Sequence, residues 1–345
     1  MAACAAGLEH CSDLNPRPVR MPIPSAIYVR LPNWIGDVCM SLPSLQAVLD
    51  TGVPVVVCAR PWARDLLSAY NLAGFVELKG RWREDRAAVH GWRKRAQHAR
   101  PYGLLLPDSL SSAMVFKFAG IPSAGYRDDG RSLILRWPVN KPSGRQHAVE
   151  SWHYVTMQAL RRWALPVAPL PRQRSLGLRL TSRHQAEARQ ALKDAGLTPG
   201  GFILIAPTAT GLHQGRIKVW PYFDALTSRL QEAGYTVAMC PPPAEVDAAR
   251  AAAPMAKLLP PLKLGAFATL TQLASLVVCN DSGVSHLAAA AGARQLTLFG
   301  VTDPERTGPW SDRAVCLGDA HTWPSLELAA ERVQAILTSD TDAIA

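Results

Sequence analysis

A chain of 345 residues, 48% of them hydrophobic, has material for two ordinary globular cores. No run of 18 apolar residues occurs, and the first 25 residues are interrupted by Glu9, His10, Asp13 and prolines, so neither a membrane-spanning helix nor an export signal is expected. The formal charge of +10 is uneven: residues 1–162 hold 21 Lys and Arg against 12 Asp and Glu, whereas residues 181–345 hold 13 against 15. A half that basic points to an acidic partner such as lipid phosphate, an anionic membrane surface or nucleic acid. Nucleic acid is disfavoured, because no zinc-finger spacing or RNP-like aromatic motif is present.

The leader, residues 1–25, reads as a disordered extension, with Met21 as an alternative start. From Ala26 onward, short apolar runs alternate with helical patterns, which predicts parallel α/β architecture. Ala26–Leu31 is the first expected strand, 32–38 its turn, Met40–Leu49 a helix, Val53–Cys58 the next strand and Leu104–Leu106 a later one, followed by helices over 111–119 and 149–163. Between these, RWREDRAAVHGWRKRAQHAR (Arg81–Arg100) is the densest basic stretch. It reads either as a solvated helix with Trp82 and Trp92 in the core or as a face toward a membrane interface.

Pro166, Pro169 and Pro171 mark a linker over 166–175, dividing a domain at 26–165 from one at 176–340. The second series runs through a helix over 183–195, strand 202–206, helix 222–233, strand 236–240, a strand–turn–helix–strand block from Val277 to Phe299, and a terminal helix around Leu326–Leu337. The seven cysteines form no CxxC pair. Cys58, Cys240, Cys279 and Cys316 fall in or beside strand-like runs and read as reduced core residues of a cytosolic protein.

Two such domains place their strand C-terminal ends across a cleft, and three loops there are polar. LPNWIGDVCMSLP (Leu31–Pro43) carries Gly36 and Asp37, and Asp37 is either a helix cap or a cleft carboxylate. APTATGLHQGRIKVWP (Ala206–Pro221) holds Thr208, Thr210, Arg216 and Lys218 but lacks P-loop spacing. The third loop, Asp281–Ser282–Gly283, opens an alanine-rich helix whose first N–H groups suit an anion. No GxGxxG, HExxH or clustered ligand set appears, so neither a nicotinamide cofactor nor a bound metal is expected.

At these loops the chain resembles the heptosyltransferases of lipopolysaccharide core synthesis, glycosyltransferase family 9. The resemblance rests on NWIGDVCMSLPSL, on SLSSAMVFKFAGIPSAGYRDDGR (Ser109–Arg131), on KVWP (Lys218–Pro221) and on NDSGVSHLAAAAGARQLTLFGVTDP, in order, and it leans toward the heptosyltransferase II type. It implies a GT-B fold of two Rossmann-like domains with parallel sheets facing a cleft. It further implies inverting, metal-independent transfer of heptose from ADP-L-glycero-D-manno-heptose to Kdo-lipid A or heptosyl-Kdo-lipid A, with no cofactor. Asp37 and Lys218 become the catalytic candidates. Donor contacts fall to Thr208, Lys218, Asp281, Ser282, Gly283 and His286, and acceptor contacts to Asn33, Trp34, Gly36 and Arg127. The protein is then expected in the cytoplasm, in peripheral contact with the anionic inner-membrane leaflet. One departure stands out: PPPAE (Pro241–Glu245) replaces a glycine-rich turn, which puts donor contacts there in question. The alternatives are a catalytically inactive nucleotide-binding protein of the same fold, or a transferase of another sugar to a surface glycan.

Overall fold

The computed structural model describes residues 22–210, 212, 213 and 215–338, with positions 212 and 213 by backbone alone. Most of the expected leader, residues 1–21, and the last residues, 339–345, lie outside this range.

The first sheet contains β1 (Ala26–Arg30), β2 (Val55–Ala59), β3 (Gly74–Glu77), β4 (Pro101–Leu105), β5 (Ser123–Tyr126) and β6 (Trp137–Val139), in the order β3-β2-β1-β4-β5-β6 with every pair parallel. Strands β1, β2 and β4 are buried along their whole length, as strands covered on both faces must be. Their side chains alternate: Ile27, Val29 and Val57 enter one apolar cluster while Tyr28, Val56 and Cys58 enter another. The covering helices are α1 (Ile35–Met40), α2 (Leu42–Leu49), α3 (Ala63–Leu66), α4 (Trp82–Arg95), α5 (Leu110–Phe118) and α6 (Ala148–Arg162).

No helix or strand occurs between Arg162 and Ser182. Then follow α7 (Ser182–Asp194), β7 (Ile203–Ala206), the hairpin strands β8 (Leu212–His213) and β9 (Arg216–Ile217), α8 (Phe223–Glu232), β10 (Val237–Met239), α9 (Val246–Ala252), β11 (Lys257–Leu258), α10 (Leu264–Leu273), β12 (Leu276–Asn280), α11 (Gly283–Ala291), β13 (Gln295–Leu298), α12 (Pro304–Thr307), β14 (Ala314–Leu317) and α13 (Leu326–Thr338). The second sheet, β11-β10-β7-β12-β13-β14, is again parallel throughout. Two parallel six-stranded sheets with helices on their faces are the expected GT-B arrangement.

Several sequence expectations need correction. The turn after β1 is shorter than 32–38, because α1 occupies Ile35–Met40, and the helix expected over Met40–Leu49 is α2, which starts at Leu42. Pro43 has no N–H to continue α1, so the chain breaks at Ser41, whose Oγ donates to the Val38 carbonyl at 2.8 Å. Strands β3, β5, β6, β11 and β14 were not foreseen. They are two to four residues long, and β6 carries a proline at a sheet edge, so none shows a readable period. Cys316 lies on the edge strand β14 and is exposed, unlike the buried Cys58, Cys240 and Cys279. The two tryptophans of α4 also part company: Trp92 packs over Gly74 in the core, whereas Trp82 is 45% exposed.

Helix α1 of the first half meets α11 of the second, so the ends of β1 and β12 face one another. Gly36 is required at that contact. A Cβ there would sit 2.5 Å from Cδ2 of His286.

Candidate active site

Asp37 occupies the third position of α1, while the N-cap is Trp34, which makes no side-chain cap bond. Asp37 is therefore not the helix cap. Its carboxyl is largely withdrawn from water, which raises its pKa to about 6, and the Lys218 charge from the other half moderates that rise.

Lys218 reaches Asp281 Oδ2 at 3.0 Å, and Thr302 Oγ1 donates to the same oxygen at 2.6 Å. The sequence explains how Lys218 is held. Asn280, the last residue of β12, accepts the Trp220 backbone N–H at 2.8 Å and donates to the Ala206 carbonyl at 3.4 Å, which ties the KVWP segment to two strand ends. Trp220 is buried and its Nε1 donates to the Pro324 carbonyl. Arg216, two residues before Lys218, turns elsewhere and donates to the carbonyls of Gly300 and Ala320.

Ser282 caps α11, with its Oγ accepting from Val284 N, and the first turn of that helix faces α1, where Gly283 lies against Ile35. The helix ends at Gly292, whose φ of 75° makes the left-handed cap that glycine favours. His286 lies 3.9 Å from Asp281 Oδ1 with its ring against Gly36. Burial depresses its pKa well below the usual imidazole range despite the Asp281 charge, so the ring is neutral at ordinary pH.

Beside this centre, over β7 and β10, lies a cavity of about 180 Å³. Its walls are mostly apolar, with Ile35 from the first half and Phe267 from α10, and its polar groups include Thr208, Glu245 and Ser282. Thr208 Oγ1 donates to the Glu245 carboxylate. The departure at 241–245 thus forms a wall: Pro241, Pro242 and Glu245 all line the cavity.

In the first half a smaller cavity of about 90 Å³ is lined by Arg30, Asn33, Trp82, Asp85 and Ser109. Asn33 Oδ1 accepts from Arg30 at 2.7 Å, Trp34 is 74% exposed, and Gly36 is covered by His286. Arg127 stands apart at the end of β5, where it donates to Asn140 Oδ1 at 3.0 Å. The sequence therefore brings Asp37, Lys218, Asp281, Ser282, Gly283 and His286 to one place, sets Thr208 and Asn33 in flanking cavities, and leaves Arg127 outside both. It gave no role to Arg30 or Asn280, and it marked Glu245 only as part of the 241–245 departure. Among the described residues, no group of three or more His, Cys, Asp or Glu could hold a metal ion, and no helix is long and apolar enough to cross a membrane.

Comparison with known proteins identifies the family. The model of glycosyltransferase family 9 (heptosyltransferase) fits residues 95–335. Lipopolysaccharide heptosyltransferase 2 of Escherichia coli K12 is 27% identical over 317 residues, covering 82% of this chain and 85% of that protein. Lipopolysaccharide heptosyltransferase 1 of Pseudomonas aeruginosa is 33% identical over 247 residues, 66% of this chain and 63% of its own length. The solved E. coli ADP-heptose LPS heptosyltransferase II superposes with a TM-score of 0.71 at 23% identity, covering 92% of this chain and 99% of that one. With the family model spanning well over half of its length, the chain belongs to glycosyltransferase family 9, the heptosyltransferases, and is a glycosyltransferase.

Proposed function

We propose that this enzyme transfers a heptose from ADP-L-glycero-D-manno-heptose to the inner core of lipopolysaccharide, on Kdo-lipid A or heptosyl-Kdo-lipid A, with inversion and without a metal. The observation that carries the reading is the desolvated Asp37 carboxyl set across from Lys218 at the meeting of α1 and α11. In this mechanism Asp37 takes the proton of the acceptor hydroxyl as that oxygen attacks the anomeric carbon. The bond to ADP breaks on the opposite face, and the diphosphate gathers negative charge. Lys218 meets that charge, and the α11 start at Ser282 and Gly283 adds N–H donors, so cation and helix end together do what a metal does in other transferases.

Asp281 orients Lys218 through the 3.0 Å contact, with Thr302 fixing the carboxylate. The cavity of Thr208, Glu245 and Phe267 accepts the nucleoside: a flat base among apolar walls and ribose hydroxyls at the polar pair. His286 stays neutral beside the donor, and Asn33, Trp34 and Gly36 border the acceptor side. Arg127 is the weakest of the acceptor candidates, since its guanidinium is engaged with Asn140. The site works from the cytoplasm, at the inner leaflet where a lipid-linked acceptor is exposed.

The test is transfer by purified enzyme from ADP-heptose to each purified core acceptor, read by mass spectrometry, with the anomeric configuration read by NMR. The expected product carries one added heptose with inverted configuration, and its yield is unchanged by chelator. Transfer that stops with chelator and returns with magnesium contradicts the metal-free mechanism, and a free or nucleotide-linked sugar as product contradicts the transferase reading altogether.

A further inference from the structure

Helices α4 and α5 present a face whose composition the donor and acceptor chemistry does not explain. Trp82 and Phe118 are 45% and 55% exposed, with ring centroids 6.5 Å apart, and Leu110 is also exposed. Along α5, Leu110, Met114 and Phe118 recur every four residues, and along α4 Arg86 follows Trp82 by the same interval, so each set lies on one helix face. The guanidinium of Arg83 stands 5.9 Å from the Trp82 ring. Arg83, Arg86 and Lys117 are exposed, and among the described residues none of the three pairs with a carboxylate. The nearby acids are already compensated: Glu84 pairs with Arg81 and Lys79, and buried Asp85 accepts the N–H groups of Lys79 and Gly80. The face is thus apolar at its centre and cationic at its rim. It also adjoins the small cavity of Arg30 and Asn33, because Trp82 belongs to both.

We propose that the α4–α5 face docks on a bilayer surface rich in anionic phospholipid, with Trp82, Leu110 and Phe118 entering the interface and Arg83, Arg86 and Lys117 meeting lipid phosphates. Aromatic side chains flanked by cations are the combination that binds an anionic interface. The docking rests on the lipid-linked acceptor proposed above and gives it a route: a saccharide rising from the leaflet beside Trp82 enters at Asn33 and passes toward Asp37.

The experiment is co-sedimentation of the full chain with vesicles of equal parts phosphatidylcholine and phosphatidylglycerol, beside vesicles of phosphatidylcholine alone. Binding is expected to the mixed vesicles only and to weaken with salt. Arg83→Ser with Lys117→Ser should lower partitioning about 25-fold, at roughly fivefold per cation. Phe118→Ser, at unchanged charge, should lower it as well while leaving turnover of a delipidated, soluble core acceptor intact. Partitioning of these variants equal to that of the parent overturns the proposal. So does competition by polyglutamate together with an unaltered Phe118→Ser variant, which marks the face as a site for an acidic macromolecule. Vesicle binding without heptose transfer refutes the function and keeps the face; transfer without vesicle binding refutes the face and keeps the function.

Discussion

Asp37, in the first turn of α1, and Asp281, between β12 and α11, are the carboxylates that the two halves bring to the contact of those helices. Their surroundings differ. Asp281 is 4% exposed, and its Oδ2 receives both Lys218 and Thr302, so its charge is compensated where it sits. Among the described residues Asp37 has no such partner: burial dominates, and its pKa rises to about 6, moderated by the Lys218 charge. Two carboxylates at one helix contact thus divide into a proton acceptor and a positioner, and environment rather than residue type makes the division.

The sharpest way to break the comparison is to remove the reacting charges one at a time. Asp37→Asn should lower kcat by about a hundredfold to ten-thousandfold, the usual range for loss of a general base, with donor affinity by calorimetry nearly unchanged. Lys218→Ala should reduce kcat and kcat/KM together by about 2.7–4 kcal/mol of barrier, as when one donor is removed from a preorganised anion site. A rise in KM alone would assign Lys218 to ground-state anchoring. Arg216 should not compensate, because its guanidinium is held by the carbonyls of Gly300 and Ala320. Lys218→Arg should recover part of the loss, since the planar fork presents its donors differently.

Smaller effects probe how the two carboxylates are held opposite one another. Gly36→Ala places a methyl 2.5 Å from His286 Cδ2, and the resulting displacement of α1 from α11 should cost about 1–3 kcal/mol in kcat/KM. Adding His286→Ala should restore part of that loss, a coupling that a double-mutant cycle reads directly. Additive losses would mean that the contact does not set the cleft. Thr302→Val should be mildest, removing one hydrogen bond to Asp281 and lowering stability in denaturant titrations by about 1 kcal/mol.

What the sequence made legible follows the same physics. Asp37, Asp281 and Ser282 are readable because each falls where a strongly apolar strand gives way to a helix, so local pattern fixes their placement. Asn280 is not readable, since its partner is the backbone N–H of Trp220, sixty positions earlier in the chain. Glu245 sat inside a segment that looked like a loss, and only the chain path after β10 turns its carboxylate toward Thr208. Arg30 is the charged end of an apolar strand, and neither its burial nor its bond to Asn33 follows from local pattern. Arg127 shows the converse, for motif membership suggested an acceptor contact while the fold engages it with Asn140. The short edge strands escaped notice because their pairing comes from neighbours already in place rather than from their own residues.

The central claim, that Asp37 and not Asp281 takes the proton, is tested most directly by the pH dependence of kcat/KM. The base must be ionised to act, and its pKa lies at about 6, so activity should be level above that value and fall by a factor of ten per pH unit once well below it. In Asp37→Asn the residual activity should lose this acidic limb, whereas Asp281→Asn should be slower but keep it. A limb near pH 6 that survives in Asp37→Asn and vanishes in Asp281→Asn would contradict the account.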